Sequence, residues 1–448
     1  MDKIESIIHR MRKLSTVSYR GRVQTIRAGL ISVTGLNAHA SVGDRVAISL
    51  QTGQMTGEIV GLTRTHAEVL PEGPPEGLSI GSGVELLFAP LISPCDAWIG
   101  RIIDPLGQPL DGRPLPQGPM PRAFRSEAPP AVRRKRLGAR LSTGLAVFDT
   151  VLPLVQGQRI GLFAGSGVGK STLLSKLARG VQADVVVIAM IGERGRELRD
   201  FVENTLGPEG MKRAVIVTAT SDRSPLLRRR CVWAAMAVAE HFRDQGKHVL
   251  LLADSITRFA EAHREIALAA GEPPSYRGFP PSLSNLIMAL AERAGPGLEG
   301  EGDITGIFSV LVAGSDMDEP VADILRGTLD GHVVLDRSIA ERGRFPAIDV
   351  VRSVSRALPD AADAAENALI GRARAAWGAY AESELMIRAG LYAPGADPQL
   401  DEAVSLHPQL DQFVTRDSGS IPGSFGLLAE VLQVPHRPAQ SRRRNGGY

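Results

Sequence analysis

The chain is poor in cysteine and aromatics and carries no excess of charge. Its two cysteines, Cys95 and Cys231, lie far apart in the 448 residues and suggest neither a disulfide framework nor a metal knuckle. Phe, Tyr and Trp together make up 4% of the chain. None occurs between Gly21 and Leu87, so that stretch offers no platform on which oligonucleotide bases would stack. Fifty-one Lys and Arg against 49 Asp and Glu leave a net charge of +2, too balanced for a whole-protein affinity for nucleic acid. No apolar run reaches the ~18 residues that would span a bilayer. The opening MDKIESIIHRMRKL mixes charged and apolar positions where a signal peptide has an uninterrupted apolar core. The expectation is a soluble cytosolic protein with at most a peripheral membrane link. What is present is ordinary globular material, 43% hydrophobic and 22% charged, long enough for about three domains.

The pattern changes three times along the chain. Ile4, Ile7, Ile8, Met11 and Leu14 recur at helical steps and predict an amphipathic helix. That helix either packs on its own domain or docks on a partner or an anionic membrane surface. From about Gly21 to Leu87, short alternating runs such as VQTIRAGLISV, DRVAISL, GEIVGL and HAEVL are separated by glycine turns and predict a small β-barrel. A Pro/Gly-rich connector (102–119) follows, and then the basic run Arg133-Arg134-Lys135-Arg136, which reads as a solvated linker. From about 141, near-continuous apolar strands alternate with helical stretches, the grammar of a parallel sheet covered on both faces. Beyond about 360 the chain becomes Ala-rich and helical, ending in a basic tail, SRRRNGGY. The fold class is α/β: a small N-terminal β-barrel, a central domain on a parallel sheet, which the loop described next makes a RecA-like P-loop domain, and a C-terminal helical domain. The expected boundaries are 1–19 for the docking helix, 20–92 for the barrel, 93–375 for the central domain and 376–448 for the helical domain.

AGSGVGKST (164–172) follows the strand RIGLFA and precedes a helical stretch, the context a phosphate-binding loop requires. Gly165, Gly167 and Gly169 let the backbone bend, so that the amides of residues 165–172, including Ser166, Val168 and Thr172, converge on phosphate oxygens. Lys170 is placed for the terminal phosphates and the Ser171 hydroxyl for Mg²⁺. Ala164 stands where the strict pattern has glycine, a departure that leaves the phosphate contacts intact. Such a loop calls for an acidic residue at the end of a neighbouring strand, and HVLLLAD supplies Asp254; a helix-capping aspartate would look the same. Glu193, at the end of DVVVIAMIGERGRE, can accept a proton from water or align it, and Arg194 can neutralise phosphoryl charge. The plainer reading of that pair is a salt bridge at a strand end. Glu197 and Arg199 read as a solvated helix start, and Arg258 lies near enough to Asp254 in sequence to belong to the site.

LFAGSGVGKST, GERGREL, LLLADSITRFAEAHREIALAAGEPP, GFPPS, LDGHVVLDR and FPAIDVVRSVSR occur in this order. The series resembles the rotary ATPase family, which includes ATP synthase subunits and the ATPases of type III protein export. It covers about residues 20–430 and looks most like the flagellar export branch. The resemblance implies ATP and Mg²⁺ as ligands, Glu193 as the catalytic carboxylate and Arg194 as its phosphate-sensing partner. Arg356, by itself a surface arginine, matches an arginine finger that reaches the neighbouring subunit's γ-phosphate. Phe345 matches an aromatic of the adenine pocket, with plain core packing as the alternative. A homohexamer is implied, along with a dimeric regulatory protein held by the N-terminal helix, a coiled-coil stalk protein, an export gate at the inner membrane, and export substrates with their chaperones. The stretch RAGLYAPGADPQLDEA (388–403) departs from the family by lacking the acidic lever that pushes a rotary shaft. Three other readings remain: the ATPase of a virulence or symbiosis injectisome, a nucleic-acid ring translocase, and a non-catalytic nucleotide-binding subunit.

Overall fold

The computed structural model describes residues 17–27, 29–312 and 316–434; the N-terminal helix and the basic tail expected from sequence lie outside them. Strands β1 (Arg20–Arg27), β2 (Leu30–Thr34), β3 (Arg45–Leu50), β4 (Gly53–Leu62), β5 (Ala67–Pro71) and β6 (Gly83–Phe88) close into a barrel in the order β1-β2-β5-β4-β3-β6. Alternation puts Val23, Ile31, Val33, Val46, Ile48, Ile59, Val69 and Val84 inside, which is why polar residues separate them in sequence. VQTIRAGLISV is two strands rather than one, turning at Gly29, whose φ of +84° suits glycine.

The central sheet runs β14 (Ile348–Ser355), β13 (Gly331–Leu335), β8 (Arg159–Ala164), β12 (Asp303–Leu311), β11 (His248–Asp254), β9 (Val185–Ile191), β10 (Ala214–Ala219) and β7 (Arg101–Ile103). All neighbours are parallel except β13 with β14. Helices pack on both faces, so VVVIAMI in β9 is buried at every position, as a strand covered on both sides must be.

The connector is not a loose linker. Arg101–Ile103 forms the edge strand β7, and Arg101 grips Asp111 through Nη2 at 2.8 Å. Nor is the whole basic run solvated. Arg134 donates to the carbonyl oxygens of Pro129 at 2.9 Å and Ala294 at 3.2 Å, and Lys135 pairs with Asp303 at 2.9 Å. Ala294 and Asp303 belong to the central domain and lie far away in sequence, which is why the local pattern does not reveal these contacts.

Two polar clusters tie the outer domains to the sheet domain. Glu58 of β4 accepts from Arg229 at 2.6 Å and from Arg230, both on the helix Pro225–Asp244, and all three side chains are buried. Asp149, fully buried, accepts from the Thr143 amide and hydroxyl and from Ser424 Oγ at 2.8–2.9 Å. Ser424 belongs to the last of three C-terminal helices, Ala364–Arg388, Pro398–Phe413 and Ile421–Val431. The first of these starts at a capping box between Asp363 and Glu366 and runs unbroken past residue 376.

Candidate active site

Ala164 ends β8, and the chain turns through Gly167 (φ +77°) and Gly169 (φ +83°) into the helix Lys170–Gly180. Both glycines occupy the left-handed region that side chains resist. The loop therefore delivers its amides and the positive end of an eleven-residue helix to one point, a ready-made anion site. Gly165, Ser166, Gly167, Gly169, Lys170, Ser171 and Thr172 line a cleft of about 830 Å³, together with Glu193 and Arg194. Val168 does not: its side chain is buried in the core and anchors the loop from beneath, leaving only its backbone for a ligand.

A second lobe of about 470 Å³ joins this cleft at Ser171 and Glu193 and is lined by Asp254. Asp254 ends β11, and its Oδ1 accepts from Lys170 Nζ and, at 2.6 Å, from Ser309 Oγ. The Ser171 hydroxyl and the Asp254 carboxylate are hard oxygen donors facing one chamber, a donor set that fits Mg²⁺ better than any softer metal.

Glu193 lies two residues past β9, beside Asp254. Burial, and then the negative charge of Asp254, push its carboxyl up to about 7, while Lys170 acts in the opposite direction. It shares a hydrogen bond with Glu197, whose own carboxyl is held below the usual range mainly by Arg194 and then by Glu193. Arg194 Nη1 donates to Glu197 Oε1 at 2.7 Å, with an otherwise exposed side chain. Glu197 is the solvated helix start the sequence suggests, exposed in the first turn of the helix Gly195–Asp200, and it also lines the cleft and bridges Glu193 to Arg194. Arg199 does point away, paired with Glu203 at 2.9 Å. Arg258 lines the cleft and packs against Gly192 while pairing with Glu261 at 2.8 Å.

Phe345 is 51% exposed, so core packing does not account for it. Its ring stands over the loop: a Cβ added at Gly169 would come within 3.1 Å of Phe345 Cδ1. Arg356 is not brought to this cleft. It follows β14, where Ser355 pairs with Gly331 while Leu335 pairs with Ala164 at the loop end. Four strand residues, about 13 Å at ~3.3 Å each, separate those two levels of the sheet. Arg356 thus stands at the opposite edge from its own chain's phosphate loop, exposed, donating to the Arg326 carbonyl oxygen at 3.2 Å.

A glycine-rich loop at a helix N-terminus, with a lysine, a strand-end aspartate and a second carboxylate beside it, defines a P-loop nucleoside triphosphatase. The chain belongs to the ATP synthase alpha/beta family, and with it is an ATPase. That family's nucleotide-binding domain matches residues 144–355, and the T3SS EscN ATPase C-terminal domain matches residues 362–420. The flagellum-specific ATP synthase of Caulobacter vibrioides is 45% identical over 444 residues, covering 96% of this chain and 99% of the relative. The type 3 secretion system ATPase of Pseudomonas savastanoi pv. phaseolicola is 41% identical over 416 residues, covering 91% and 92%. Among solved structures, the assembled ATPase EscN of the enteropathogenic E. coli type III secretion system superposes with a TM-score of 0.85 at 35% identity, covering 92% of this chain and all of that one. The same ATPase in complex with its central stalk EscO gives a TM-score of 0.83, with the same identity and coverage.

Proposed function

We propose that this chain is the ATP hydrolase of a flagellar type III protein-export apparatus, using Mg-ATP in a homohexameric ring to release and unfold proteins for export. The observation that carries the reading is end-to-end likeness to a flagellum-specific ATP synthase, joined to a cleft with a carboxylate poised near neutral pH. Loop amides and Lys170 hold the phosphates; Ser171 and Asp254 hold Mg²⁺, which would neutralise phosphate charge. Glu193 aligns the attacking water and takes its proton. Arg194, released from Glu197, and Arg356 of the neighbouring copy meet the charge on the transferring phosphoryl group. A finger of that kind is worth ~10³–10⁵ in rate. Phe345 stacks on the adenine.

In this reading the ring works at the cytoplasmic face of the inner membrane, bound peripherally beside the export gate. No helix among the described residues is long and apolar enough to cross a membrane. The N-terminal segment holds a dimeric regulator, a coiled-coil stalk enters the ring, and chaperones deliver substrates. An injectisome ATPase is the second reading, supported by the C-terminal match and the Pseudomonas relative. Deleting the gene and restoring wild type or Glu193→Gln separates the two. Loss of motility and of secreted filament protein, restored by wild type only, supports the flagellar role. Normal motility with loss of secreted effector proteins supports the other.

A further inference from the structure

Ser309 is a fully buried hydroxyl towards the C-terminal end of β12 (DITGIFSVL), between the two strands that carry the site. In β12 it pairs with Leu162 of the phosphate-loop strand on one side, and the Phe308–Ala253 pairing sets it beside Asp254 on the other. A buried hydroxyl left without a partner destabilises the fold, so its side-chain hydrogen bond, 2.6 Å to Asp254 Oδ1, is a fixed feature of the structure. The turn after Asp254 is fastened to the same strand a second time. Thr257 Oγ1 donates to the Leu311 carbonyl oxygen at 3.3 Å and accepts from the Leu311 amide at 2.8 Å.

Asp254 Oδ1 has a second donor, Lys170. The two are not equivalent. Lys170 sits on a flexible stem at the mouth of the phosphate loop and must leave Asp254 to reach a phosphate. Ser309 sits on a rigid central strand and has nowhere else to go. We infer that Ser309 is a positioning residue: it keeps the Asp254 carboxylate aimed at the metal chamber when Lys170 transfers to the nucleotide. Lys170 and Ser309 thus divide the work. The lysine neutralises Asp254 in the empty site, and the serine holds its orientation in the filled one.

This rests on the reading of Asp254 as a Mg²⁺ ligand, and the test separates the two claims. A fluorescent ADP analogue is titrated into the full-length protein in EDTA and at stepped Mg²⁺ concentrations, for wild type, Ser309→Ala, Ser309→Thr, Ser309→Cys, Asp254→Ala and the Ser309→Ala/Asp254→Ala double variant. Charge-assisted hydrogen bonds are among the stronger ones. Ser309→Ala should therefore raise the Mg²⁺ concentration needed for half-maximal tightening about tenfold, with ADP affinity in EDTA unchanged within twofold. Ser309→Thr, which keeps the hydroxyl, should restore the wild-type Mg²⁺ response, and Ser309→Cys, of similar volume, should not. In the Asp254→Ala background the serine substitution should have no further effect on Mg²⁺ dependence. Three results overturn the positioning role: an unshifted Mg²⁺ response in Ser309→Ala, equal loss with and without Mg²⁺, or an additive double variant. If Asp254→Ala itself tightens on ADP with Mg²⁺ as wild type does, the metal reading fails and the positioning role falls with it.

Discussion

Glu193, just beyond the end of β9, stands beside Asp254 at the end of the neighbouring parallel strand β11, and burial together with the charge of Asp254 raises its proton affinity. Met190 pairs with Asp254 across β9 and β11, so Glu193 emerges three residues further on, over the aspartate. Its carboxyl is pushed up to about 7 chiefly by burial and then by Asp254. A carboxylate tuned to working pH is an effective proton acceptor.

The first prediction follows from that value. Only deprotonated Glu193 can take a proton from water, so single-turnover hydrolysis should rise about tenfold per pH unit below about 7 and level off above it. Rates measured from pH 5.5 to 8.5 check this. A profile flat through neutrality would remove Glu193 as the base.

The same shift predicts an effect on stability. The folded chain binds the Glu193 proton more tightly than the unfolded chain does, so the folded state is favoured at low pH. That advantage is lost as pH rises from the ordinary carboxylate range through about 7. Glu193→Gln, which cannot ionise, should therefore raise Tm relative to wild type at pH 8 and by less at pH 5. Thermal unfolding at the two values measures the difference directly.

Phe345 is half-exposed, with its ring beside Gly169 of the phosphate loop. Stacking of a base on an aromatic ring is worth ~1–3 kcal/mol. Phe345→Ala should weaken binding of a fluorescent ADP analogue about tenfold, Phe345→Tyr should leave it near wild type, and neither should shift Tm by more than a degree or two.

At the junction of barrel and core, Glu58→Ala would leave Arg229 buried without its carboxylate and Arg230 with only Glu72, at 3.6 Å. Breaking a buried pair in this way costs ~3–5 kcal/mol. Urea unfolding should show a loss of that order, whereas Arg199→Ala, which removes an exposed pair, should change stability by under ~1 kcal/mol.

Much of this was legible in sequence because it is local. RIGLFA, AGSGVGKST and HVLLLAD each carry a strand, a loop or a strand-end carboxylate within ten residues, and alternation marked the barrel strands. What escaped depends on distance in sequence. Arg134 and Lys135 read as solvated because their acceptors lie some 160 residues away. Ser309 carries no local signal, because its partner, Asp254, is 55 residues distant on another strand. Glu197 is the solvated helix start its sequence suggests, but its place on the cleft wall depends on where the chain turns after β9, which the local pattern does not show. Arg356 needed both sources: the motif suggested a finger, and the strand register puts it at the far edge from its own loop.

The central claim is that each catalytic site is completed by Arg356 of a neighbouring copy. Glu193→Gln and Arg356→Ala, each nearly inactive alone, should be mixed in equal amounts and ATP hydrolysis followed as total protein concentration rises. The account predicts activity well above the sum of the two variants, because intact Glu193 sites of one then receive Arg356 from the other. An Arg356→Ala protein that hydrolyses ATP at the wild-type rate, or a mixture that never exceeds the sum of its parts, would contradict it.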